Sequence, residues 1–93
     1  MAKVVRKEDV ERTLVMAEDQ WGSLPQVEAK IDGWPQAEQV HFVEEWPMEE
    51  VRLKRLERYA QEGRMTEDQL ARYEELKKIV ARNRPIIRRL QNS

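Results

Sequence analysis

Few side chains in this sequence could do chemistry, and their spacing limits what that chemistry would be. The single histidine, His41, closes the stretch Glu38-Gln39-Val40-His41. A glutamate and a histidine three residues apart share one helix face, the spacing used by di-metal helical bundles. Such a centre also needs a glutamate from each facing helix, and no inward acidic position is identifiable here. Nucleophilic catalysis lacks its parts. Cysteine is absent, and the serines, Ser23 and Ser93, are remote from His41 in sequence. Paired carboxylates occur at Glu44–Glu45 and Glu49–Glu50, as the solvated face of an amphipathic helix commonly provides. Gly22, Gly33 and Gly63 are isolated, so no glycine-rich phosphate loop is present. The chain reads as non-enzymatic and without a cofactor.

The elements that would position these residues are helical. Ninety-three residues with 40% apolar and 38% charged side chains fit one small domain of helices, each with a buried stripe and a charged outer face. The absence of cysteine excludes disulfides and thiolate metal sites. Lys3, Arg6, Lys7, Glu8 and Asp9 interrupt any signal-peptide-like run. No segment approaches the roughly 20 apolar residues that cross a bilayer. These features predict a soluble, cytoplasmic protein with no membrane partner.

Val10, Leu14, Ala17 and Trp21 recur at i, i+4, i+7 and i+11, predicting a helix over about Lys7 to Gln20 that Gly22 ends. Ser23 and Gln26 have capping-box spacing, with Pro25 in a first turn, for a short helix to about Ile31. Asp32-Gly33-Trp34-Pro35 is turn chemistry. The dipeptide Trp-Pro occurs at Trp34-Pro35 and again at Trp46-Pro47. Each reads as a helix entry, with proline in the first turn and tryptophan packed just outside it. The first helix would run from about Pro35 to Glu45 with Val40, Val43 and Phe42 inward. The second would run from about Pro47 to Glu62 with Leu53, Leu56 and Ala60 inward. The alternative is one long helix kinked at Pro47.

The strongest local signal is Tyr59 to Leu70. Gly63 suits a left-handed helix stop, and Thr66 with Gln69 forms a capping box ahead of Glu67 and Asp68. A helical hairpin with a tight turn at Gly63–Thr66 follows. Tyr73, Leu76, Val80, Ile87 and Leu90 fall on heptad a and d positions, with Asn83 at the remaining d. Arg84-Pro85 is expected to break this helix, with Asn83 capping a last short one to about Gln91. Only Lys3-Val4-Val5-Arg6 reads as extended. The predicted architecture is all-α, a single domain over residues 1–93 with about four to five helices. N-terminal helices occupy residues 1–34, and the hairpin region occupies residues 35–93.

With 17 basic and 18 acidic residues, total charge points to no particular partner, but its distribution is uneven. From Pro35 to Glu50 every charged group is acidic: Glu38, Glu44, Glu45, Glu49 and Glu50. From Leu76 onward every one is basic: Lys77, Lys78, Arg82, Arg84, Arg88 and Arg89. The expectation is that the two segments pair. The functional reading is a protein–protein interaction or self-association module, a homodimer or the binder of a partner protein. Its candidate contacts are Trp34, Trp46 and those six basic residues. The alternative is nucleic-acid association through the basic C-terminal helix. A helix-turn-helix mode fits poorly, because Glu67, Asp68, Glu74 and Glu75 on the would-be recognition helix repel phosphate. A metal-binding bundle is the third reading.

Overall fold

The computed structural model describes residues 7–92, and the extended stretch expected at Lys3 to Arg6 lies outside them. The chain is all-α. Helix α1 spans Lys7–Gly22, α2 Leu24–Lys30, α3 Gln36–Glu45, α4 Pro47–Gln61 and α5 Glu67–Gln91, with a 3-10 turn over Ile31–Gly33 between α2 and α3. The shortest extent, 18 Å, leaves room for two layers of helices.

Helix α1 forms the centre. Its predicted stripe is the most completely buried in the molecule: Val10, Leu14, Ala17 and Trp21 are all sealed from solvent. It packs against both α5 and α4. A hairpin of α4 and α5 alone would set their stripes directly against each other, but both make their main contacts with α1. Those two helices splay apart, and their side chains meet across a groove lined by Leu53, Tyr73 and Val80. Two narrow stripes enclose too little on their own, and α1 completes the core with Leu56, Leu76, Val80 and Ile87.

The turn between α4 and α5 forms as its residues dictate. Gly63 has φ +70°, the left-handed region. The N–H of Gly63 donates to the Ala60 carbonyl and that of Arg64 to the Tyr59 carbonyl, so two terminal carbonyls of α4 are satisfied. Thr66 Oγ1 accepts from the Gln69 N–H at 3.1 Å, and Gln69 Oε1 accepts from the Thr66 N–H at 3.0 Å. The capping box is complete.

Three local expectations fail, each for a tertiary or backbone reason. Ser23 makes no cap: its backbone is helical, its N–H donates to Asp19, and its hydroxyl donates back to the Gln20 carbonyl at 3.1 Å. Helix α1 therefore runs almost directly into α2. Pro85 does not break α5, which continues through it to Gln91. Ile86, Ile87 and Leu90 beyond the proline pack on the core, and that burial holds the helix together across the lost backbone bond. Asn83 caps nothing. It is buried, and its Nδ2 donates to the Trp21 carbonyl at 2.8 Å, one of the orphan acceptors at the end of α1. Pro47 does separate α3 from α4, although Trp46 before it keeps helical angles and so joins the two at a bend.

Candidate interaction surface

The two Trp-Pro dipeptides meet in one structure. Trp34 stacks edge-to-face on Phe42 with centroids 5.8 Å apart, Phe42 lies 5.5 Å from Trp46, and Trp46 meets Trp21 edge-to-face at 5.0 Å. The Arg84 guanidinium caps the far end, 5.2 Å from the Trp21 ring. The indole N–H groups of Trp21 and Trp46 are buried with no acceptor among the described residues, so ring packing rather than hydrogen bonding by these indoles holds the row. The candidates Trp34 and Trp46 thus differ in kind. Trp46 is 2% exposed and belongs to the core, whereas Trp34 is half-buried at the outer end of the row.

This aromatic row props α3 on the rest of the molecule. Apart from it, α3 is hardly engaged: none of its residues is buried. Val40, expected inward, is 47% exposed, while Phe42 and Val43 are half-buried. One flank of α3 is committed to the aromatic row. The other flank overhangs the C-terminal end of α5.

Between them lies a cleft of about 720 Å³. Ile31, Val40, Val43 and Leu90 supply its apolar surface. Its charged groups are Glu28, Asp32, Glu44 and Arg89, three carboxylates against one guanidinium, a net charge of about −2. Arg89 is already engaged, with Nε and Nη2 donating to Glu28 at 2.8 and 2.9 Å. That pairing holds the Glu28 carboxyl below its usual range and raises Arg89. Asp32 and Glu44 have no ion pair among the described residues.

The six basic candidates on α5 do not act as one patch. Arg84 alone reaches the acidic segment, donating to Glu50 at 2.6 Å. Arg89 pairs with Glu28 of α2 instead, because α2 runs alongside this end of α5. Lys77 pairs with Glu74 at 2.9 Å and lies 5.2 Å over the Tyr73 ring, and Lys78 pairs with Glu75 at 3.1 Å. Arg82 and Arg88 are exposed with no ion pair among the described residues. The expected pairing of basic tail with acidic segment is therefore a single bridge.

His41 is exposed and contacts Glu45 at 3.3 Å on its own helix. Among the described residues no group of three or more His, Asp and Glu side chains is placed to hold a metal ion. No helix there is long and apolar enough to cross a membrane.

One polar contact between α5 and α1 has no local sequence motif. Arg72 of α5 donates to both carboxylate oxygens of Glu11 at 2.7 and 2.9 Å and to both of Glu18 at 2.7 and 3.2 Å. Gln69 adds a bond to Glu11 at 3.3 Å. Hydrogen bonds to Glu18 and then Glu11 raise the Arg72 pKa further, while Arg72 and Gln69 lower that of Glu11. The glutamates stand seven residues apart on α1, so one guanidinium spans two turns of it. Comparison with family models, with curated proteins and with solved structures returns no match.

Proposed function

We propose that this protein is a non-enzymatic interaction module and that the cleft between α3 and the end of α5 is its partner-binding surface. One observation carries the reading: a whole helix, α3, buries none of its residues and yet sets Val40 and Val43 into the lining of a cleft of about 720 Å³. A cleft of this size that sets Ile31, Val40, Val43 and Leu90 among polar and acidic groups suits an inserted amphipathic segment. Its net negative charge favours a segment that carries cations. Nucleic acid has less support, since four of the six basic candidates on α5 are already held by carboxylates.

The test uses a synthetic amphipathic helix of leucine and lysine as probe, followed by NMR. Shifts should concentrate at Ile31, Val40, Val43 and Leu90, and Val43→Asp should abolish them. Shifts that spread evenly over the surface, or that survive Val43→Asp, would refute the assignment.

A further inference from the structure

The proposed cleft wants an apolar segment followed by positive charge, and the chain itself presents one. On α4, Met48, Val51, Arg55 and Arg58 recur at i, i+3, i+7 and i+10, with Lys54 beside them. This stripe faces away from the core residues Leu53 and Leu56. Met48 and Val51 are 57% and 47% exposed, the first being the most exposed large apolar side chain among the described residues. Lys54, Arg55 and Arg58 have no ion pair there, although most exposed cations of α5 do. Helix α4 thus has two faces, one packed on α1 and one apolar-then-basic and uncovered.

We infer that the occupant of the cleft is the outer face of α4 from a second copy of this chain. Met48 and Val51 would lie against Val40, Val43 and Leu90, while Lys54, Arg55 and Arg58 meet Asp32 and Glu44. Three unpaired cations face a cleft with two unpaired carboxylates, so the match is electrostatic as well as apolar. The inference rests on the cleft being the binding surface proposed above. It adds the identity of the partner and the kind of contact. Cleft and stripe are different surfaces, so the contact is heterologous: one copy's stripe enters the next copy's cleft.

The experiment is sedimentation equilibrium of the full chain over a dilution series, with two variants that spare the core. Val40→Lys puts a cation into the cleft, and Arg55→Gln with Arg58→Gln neutralises the stripe. Circular dichroism and melting should match the parent for both. The parent mass should rise with concentration and fall with added salt. Each variant alone should weaken association at least about tenfold. An equimolar mixture should recover a one-to-one pair and go no further, because the double-glutamine variant keeps an intact cleft and Val40→Lys an intact stripe. A parent that stays monomeric at all concentrations overturns the inference, and binding of the leucine–lysine probe would then show the cleft reading intact. Association that ignores both variants overturns it too. So does a mixture that fails to recover, which would mark an isologous contact.

Discussion

Helices α5 and α3 differ in how far the rest of the molecule uses them. Helix α5 commits seven residues to the interior, from Gln69 to Ile87, and is tied to α1 by Arg72 and Asn83. Helix α3 commits none and leans on the molecule through Phe42 and its neighbouring tryptophans. The first is held by burial and long-range polar contacts together, the second mainly by its aromatic row and a Gln39 bond to the Trp34 carbonyl. Surface free to receive a partner lies where a helix is under-used by its own core. Stability should therefore be concentrated on the α1–α5 side and binding on the α3 side.

The sharpest way to break this contrast is cavity formation. Leu14 is sealed between α1 and its neighbours, so Leu14→Ala should cost about 2–5 kcal/mol in urea or thermal unfolding. Val40→Ala on α3 should stay within about 0.5 kcal/mol of the parent. Equal effects at the two sites would remove the distinction. Next comes Asn83→Leu, which leaves the Trp21 carbonyl buried without its donor and should cost about 1–3 kcal/mol. Melting unchanged from the parent would mean that α1 finds another donor for that carbonyl.

The turn should matter less. A β-carbon at Gly63 meets no atom within 4 Å, so the cost of Gly63→Val is conformational. It should be on the order of 1 kcal/mol or more, because a β-branched residue resists positive φ. Thr66→Ala should cost about 1 kcal/mol through loss of the cap. The smallest effect concerns the clamp that Arg72 makes on Glu11 and Glu18. Hydrogen bonding to Arg72 lowers the Glu11 pKa in the folded state. Its contribution is therefore present above the unfolded value near 4.5 and is lost as pH falls below it. Acid melting curves of the parent should decline more steeply below that pH than those of Glu11→Gln, and added salt should narrow the gap. Parallel curves would show that the clamp contributes nothing.

By itself the sequence determined what depends on near neighbours. Helical class, the α1 stripe from Val10 to Trp21, the Gly63 stop, the Thr66–Gln69 box and the heptad face of α5 all follow from spacings within a few turns. Local backbone preference and side-chain period are short-range properties, so they can be read there. The Trp-Pro recurrence was legible as a pair of helix entries, but not as one row of rings. Only the tertiary structure decided that Trp46 is core and Trp34 is rim, since burial depends on what α1 brings against each. It decided that Pro85 is carried inside α5, because the apolar residues after it found a surface to hold them. It decided that Arg72 and Asn83 bind α1 across 54 to 62 residues of sequence, for which no local pattern exists. The cleft is of the same kind: Ile31, Val40 and Leu90 become neighbours only after α2, α3 and α5 have packed.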